Sequence, residues 1–195
     1  MQNFSVAELL EANHILQEIQ IKGWVKTFRS NRCIALNDGS TIKNIQCVID
    51  FEKTPEDVLK LISTGAAIDV KGVLVESQGK GQTVEIQVSE IIILGASNPE
   101  EYPIQPKKHS MEFLRENAHL RIRTNTFSAV MRVRSVLSFA IHQYFINNGF
   151  YYFHAPIISG SDAECAGEMF SVSTLDKKNP PLTDDGEIDF KEAFF

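Results

Sequence analysis

Cysteine is scarce: Cys33, Cys47 and Cys165 are the three in the chain. An odd number, without C-x-x-C spacing or a Cys/His grouping, argues against a disulfide framework and a zinc ligand set. A reducing cytoplasm is therefore the expected setting, and no metal site is expected. Long apolar runs are also lacking. Residues 135–161 carry no Asp, Glu, Lys or Arg, yet His142, Gln143, Asn147, Asn148, Gly149 and Pro156 interrupt them too often for hydrocarbon. The stretch reads as core, and no membrane partner is expected. Near the start, Glu8 and Glu11 stand where a secretory leader has its apolar segment. Export is not expected.

Basic charge is in deficit, with 19 Lys and Arg against 25 Asp and Glu for a net charge of −6. That argues against indiscriminate binding to nucleic acid, but the distribution matters more than the sum. Residues 1–106 hold nine basic and fourteen acidic side chains, and residues 162–195 hold three and nine. Between them, 107–134 carry seven basic residues (Lys107, Lys108, Arg115, Arg121, Arg123, Arg132, Arg134) against Glu112 and Glu116. Such a belt serves either as a solvated, ion-paired helix face or as a contact for phosphates.

What is present is well punctuated. "SVAELLEA" has Ser5 three residues before Glu8, a capping-box pattern that opens a short helix. Segments 19–28, 32–38, 42–50, 67–77 and 83–94 alternate apolar and polar residues and are rich in β-branched side chains. Turn signals separate them, such as Asp38-Gly39-Ser40 and Gly79-Lys80-Gly81. Between the third and fourth, "TPEDVLKLISTG" predicts a helix with Thr54 as N-cap, Pro55 at the first helical position and Gly65 as terminator. Five strands with one helix after the third follow the element order of an OB-fold, a small barrel that binds oligonucleotides.

Pro99, Pro103 and Pro106 make 95–106 an extended linker. From Thr126 to Asn148, Val130, Val133, Leu137, Ala140, Ile141, Tyr144 and Phe145 recur at helical spacing, and Asn148-Gly149 supplies the stop. "FYYFHAPII" (150–158) then reads as a strand buried on both faces that ends at Pro156.

A barrel, a long helix and a strand closed by proline together resemble the class II aminoacyl-tRNA synthetases of the aspartate, asparagine and lysine subgroup. "GWVKTFRSNRCIALNDGS", "HSMEFLRENAHLRIRTN" and "SGSDAECAGEMFSVSTLD", in that order, are similar to the bacterial asparaginyl members. The resemblance implies an α+β fold: a five-stranded OB-fold β-barrel followed by the start of a class II synthetase antiparallel-sheet catalytic domain. Its boundaries are expected at 1–97 for the anticodon-binding barrel, 98–125 for a linker and hinge, and 126–195 for an incomplete catalytic domain.

The same resemblance implies the function: a ligase that joins asparagine to its tRNA through an asparaginyl-adenylate made with ATP and Mg²⁺. Helix and strand would form the family's first motif, the homodimer interface, ending at Pro156. Glu164 matches the glutamate that holds the substrate's α-ammonium, and Ser161, Asp162 and Glu168 would support the closed loop. Cys165 stands where relatives usually have glycine. On the barrel, the candidate tRNA-binding residues are Phe28, Arg29, Cys33, Gln46, Glu85 and Gln87. Gln46 matches a reader of an anticodon base edge, whereas Cys33 falls where relatives usually place a stacking phenylalanine. Stacking contributes about 1–3 kcal/mol per base, so its loss weakens binding unless Phe28 substitutes. Arg121 and Arg123 are the expected phosphate contacts at the hinge.

The family's second and third motifs, which bring arginines and metal-binding carboxylates to ATP, have no counterpart in these residues. No catalytic residue is therefore expected in this chain, which reads as the amino-terminal portion of the enzyme and inactive alone. Two alternatives stay open: an aspartyl enzyme of the same subgroup, and a noncatalytic RNA-binding or dimerisation module.

Overall fold

A computed structural model describes residues 3–30, 32–79, 81–158, 172, 174–176 and 178–189. Packing divides the chain into two compact units, Met1–Ala140 and Ile141–Phe195.

The first unit is built on five strands: β1 (Glu18–Arg29), β2 (Cys33–Asn37), β3 (Ile45–Val48), β4 (Ala67–Glu76) and β5 (Val84–Gly95). They close into a barrel in the order β1-β2-β3-β5-β4, with β3 and β5 parallel and every other pair antiparallel. The alternation in sequence becomes the inside and outside of the barrel. Ile19, Ile21, Ile34, Leu36, Ile68, Val70, Leu74 and Ile86 are fully buried, and each isoleucine or leucine so placed contributes about 1.5–3 kcal/mol. Closure leaves no long unpaired edge.

Gly72 marks the tightest approach in the sheet. A Cβ there would lie 2.2 Å from the Gln87 carbonyl oxygen, beside a register shift between Lys71 and Gly72. Asp69 is buried with its charge compensated: the Gln20 amide donates to both carboxylate oxygens, at 3.0 and 2.8 Å, and Lys22 Nζ lies 3.7 Å away.

Helix α1 (Val6–Leu10) starts at the foreseen capping box, Ser5 N–H donating to Glu8 Oε2 at 2.7 Å and Glu8 N–H to Ser5 Oγ at 3.3 Å. The turn at 38–40 adds two more acceptors, Asp38 Oδ2 for Val6 N–H (2.9 Å) and Ser40 Oγ for Ala7 N–H (3.0 Å). Helix α2 (Glu56–Leu61) begins one residue later than the sequence pattern suggests, with Pro55 in the cap position. Thr54 is engaged elsewhere, its hydroxyl donating to the Asp50 carbonyl at 2.8 Å. Strand β3 is likewise shorter than 42–50, because the Asn37 amide holds the carbonyls of Thr41 and Lys43 in a turn, at 3.0 and 2.8 Å.

Residues 96–106 form no helix or strand, in keeping with a linker, and a short helix follows them. Ile104 is buried, Ser110 caps α3 (Met111–Glu116) through the Phe113 amide at 3.2 Å, and Leu114 is buried beneath it. A 3₁₀ turn (Arg121–Arg123) leads into α4 (Asn125–Asn147). From within the first unit, Arg132 of α4 donates to the Gly39 carbonyl. Gly149, at φ +84°, ends α4 as foreseen.

Two expectations fail. No residue of α4 is buried; Val133, Leu137, Phe139 and Tyr144 are 57–68% exposed, so its apolar face lacks a cover among the described residues. Residues 150–158 form no strand and are exposed. A buried strand needs ladder partners on both sides, and among the described residues none pairs with it. Its rings pack locally instead, Phe150 edge-on to Phe145 at 5.4 Å and Tyr152 edge-on to His142 at 4.8 Å. Among the described residues, no helix is long and apolar enough to cross a membrane.

Candidate nucleic-acid interface

Strand register brings most of the expected barrel residues together. One row across the sheet runs Arg29, Cys33, Val48, Gln87, and the next runs Thr27, Ala35, Gln46, Glu85. Between them Ile34, Cys47 and Ile86 form a row that points into the core. Because side chains alternate across a strand, Arg29, Cys33, Gln46, Glu85 and Gln87 share the outer face. Phe28 does not join them. It pairs with Ile34 and packs against the core, so it is a poor substitute for an aromatic ring at position 33.

The outer face is therefore a shallow floor of Thr27, Cys33, Ala35 and Val48, rimmed by hydrogen-bonding groups. The Gln46 amide donates to Cys33 Sγ at 3.3 Å, which orients the side chain expected to read a base edge. Glu85 is held from the β4–β5 hairpin, accepting from Ser77 Oγ at 2.7 Å and Gln82 Nε2 at 3.1 Å. Small side chains leave room for a base, and the fixed amide and carboxylate offer edges to it.

The two hinge arginines lie elsewhere and pack on rings. The Arg123 guanidinium lies 4.2 Å from the Trp24 ring centroid, and that of Arg121 lies 4.5 Å from Phe127. Stacking uses the flat face of a guanidinium; phosphate recognition uses its N–H edge, so the two roles are compatible. Lys26 donates its ammonium to the Arg123 carbonyl, and burial, with the neighbouring Arg123 charge, holds its pKa below the ordinary lysine value. Within the basic belt Arg115 pairs with Glu112 at 3.5 Å, and among the described residues its other six members have no ion-pair partner. Sequence reasoning missed Trp24 and Lys26 as parts of this cluster. The signal available was the chain's single tryptophan on an alternating strand, outside the apolar series.

Glu164, Ser161, Asp162, Glu168 and Cys165 lie outside the described residues. Pro156 is described and exposed.

Two family models match the chain in series: an OB-fold nucleic acid binding domain over residues 19–94, and class II tRNA synthetases (D, K and N) over residues 110–183. The whole chain is 52% identical, over 200 aligned residues, to the asparagine–tRNA ligase of Cytophaga hutchinsonii, taking in 43% of that protein. The chain carries the start of a class II tRNA synthetase domain. The asparagine–tRNA ligase of Porphyromonas gingivalis is 51% identical over 198 residues, covering 100% of this chain and 42% of the relative. Among solved structures, the asparaginyl-tRNA synthetase of Entamoeba histolytica in complex with asparaginyl-adenylate superposes with a TM-score of 0.68. It is 25% identical over 82% of this chain and 38% of that one. The expected architecture, an OB-fold barrel followed by the start of a class II synthetase domain, is present. The chain spans less than half the length of the curated relatives it matches.

Proposed function

We propose that the protein joins asparagine to its tRNA. The asparagine carboxylate attacks the α-phosphate of ATP and releases pyrophosphate; a terminal ribose hydroxyl of the tRNA then attacks the adenylate carbonyl and releases AMP. The observation that carries this reading is identity of about half along the whole chain to two asparagine–tRNA ligases. The present residues would supply anticodon binding through the outer barrel face, a helix for homodimer formation leading to Pro156, and part of the amino-acid pocket. Within that pocket Glu164 is assigned to the α-ammonium, since a desolvated cation requires an opposite charge and hydrogen-bond acceptors. Ser161, Asp162 and Glu168 are assigned to support of the closed loop.

ATP and Mg²⁺ are substrates and helpers of that chemistry. Among the described residues no group of three or more His, Cys, Asp or Glu could hold a metal ion. The cytoplasm is the proposed setting.

Asparagine-dependent exchange of pyrophosphate into ATP by the full-length protein tests the reading, with aspartate as the competing substrate. Exchange is expected with asparagine, together with charging of the cognate tRNA. Exchange with aspartate instead, or with neither amino acid, rejects it.

A further inference from the structure

Next to the Arg123–Trp24 stack is a groove of about 700 Å³ within the first unit. One wall is β1, including Trp24 and Lys26; the other is the segment after the barrel, including Lys107, Lys108 and His109, and the first residues of α4 close the end. Three properties stand out. Among the described residues the lining includes four Lys or Arg side chains and a histidine but no Asp or Glu, in a chain whose net charge is −6. Two of its cations, Lys26 and Arg123, are forced together by a hydrogen bond from the lysine to the arginine's carbonyl. And the Asn44 side-chain oxygen in its wall is buried without a hydrogen-bond partner among the described residues.

Each property asks for a different part of one ligand. Clustered cations without counter-charge, beside the amino end of a 23-residue helix, favour an anion. A buried acceptor left unpaired costs about 1–3 kcal/mol and calls for a donor, which bare phosphate at neutral pH scarcely supplies but a ribose hydroxyl or base amino group does. The Trp24 and Tyr102 rings in the lining offer apolar surface to a sugar or base. The volume is that of a small-molecule site, about 300–1,000 Å³. We propose that this groove takes a phosphate-bearing nucleotide from the body of the bound RNA, outside the anticodon. Phosphate would sit on Lys26, Lys107, Lys108 and Arg123, and a ribose or base donor would reach Asn44. An anion there also relieves the unfavourable environment that depresses the Lys26 pKa. The proposal rests on the reading that the protein binds tRNA, and extends it to residues that the barrel face does not include.

The test uses the full-length protein, with intact tRNA and an isolated anticodon stem-loop as separate probes. Lys107 and Lys108 are exposed, so Lys107→Ala/Lys108→Ala is expected to fold normally, checked by an unchanged melting temperature. In the double variant, affinity for intact tRNA should fall severalfold and the slope of log affinity against log salt should shrink by about 1–2. Stem-loop affinity should not change. Asn44→Ala should weaken intact tRNA with the salt slope unaltered, and an unchanged affinity would overturn the nucleotide assignment. Unchanged tRNA affinity and slope in the double lysine variant, with the stem-loop still bound, overturns the groove alone. Failure of wild type to bind either RNA overturns the tRNA reading itself. If the double variant binds tRNA normally but loses one equivalent of bound AMP, the ligand is a free nucleotide and the RNA source is wrong.

Discussion

Cys33 and Cys47 sit on adjacent strands and opposite sides of one sheet, and that one-sided difference sets their chemistry. Cys33 is partly exposed on the outer face, its sulfur accepting from Gln46, whereas Cys47 is fully buried. Burial disfavours the thiolate and pushes the Cys47 pKa up to about 12 from an ordinary 9.0. In an unfolded chain the thiol loses its proton near the ordinary value, so the folded state's advantage is complete below about pH 9 and is lost as pH rises toward 12. The slope from this one group reaches at most about 1.4 kcal/mol per pH unit. Urea denaturation at pH 8 and at pH 10.5 should therefore show wild type losing more stability than Cys47→Val over that interval. Equal losses would mean that the thiol does not govern the alkaline limb. Gly72 makes the same point sterically: its identity is set by the Gln87 carbonyl 2.2 Å from any added Cβ, a contact between strands that local pattern does not reveal.

At the scale of elements, α4 is the part whose pattern and environment disagree. Its apolar residues recur at helical spacing, as a buried helix requires, yet Val133 and Leu137 are 58% and 57% exposed. A second copy of the chain is the proposed cover, since a two-fold contact lets one apolar stripe satisfy another. Leu137→Asp, near the middle of the stripe, should convert the full-length dimer to monomer at micromolar concentration, measured by sedimentation equilibrium. A variant that sediments as wild type does removes α4 from the interface. The strands were readable because a period of two survives in a closed sheet with one wet face, and β1, β4 and β5 lie within a residue or two of where alternation puts them. The barrel-face residues were readable to the same degree, Phe28 excepted: a register shift between Val25 and Thr27 changes which side later residues face, and such a bulge leaves no mark in composition. Residues 150–158 were misread because a short apolar run looks the same whether or not neighbours exist to pair with it. Helix α3 escaped notice because six residues are too few to establish a period.

Over the whole molecule, burial is concentrated toward the amino end. Every buried residue among the described ones lies between Val6 and Leu114, within the compact unit that runs to Ala140. A sheet that closes on itself needs little from the rest of the chain. A fragment of residues 1–140 should therefore give a single cooperative thermal transition with a sheet-rich circular dichroism spectrum; a broad, noncooperative drift would show that the barrel depends on later residues. The charge map is organised on the same scale. Along the sequence an acidic first segment and an acidic last one flank the basic belt, so a polyanion finds its attraction chiefly in that belt.

The turn at 38–40 joins more of this unit than its size suggests, since Asp38 and Ser40 receive the leading amides of α1 and Gly39 receives Arg132. Three separate pieces of chain are thus fastened at a single rivet. Lengthening or reshaping that loop would loosen the amino-terminal helix and the long helix in one event, giving two distant parts of the molecule a shared point of failure.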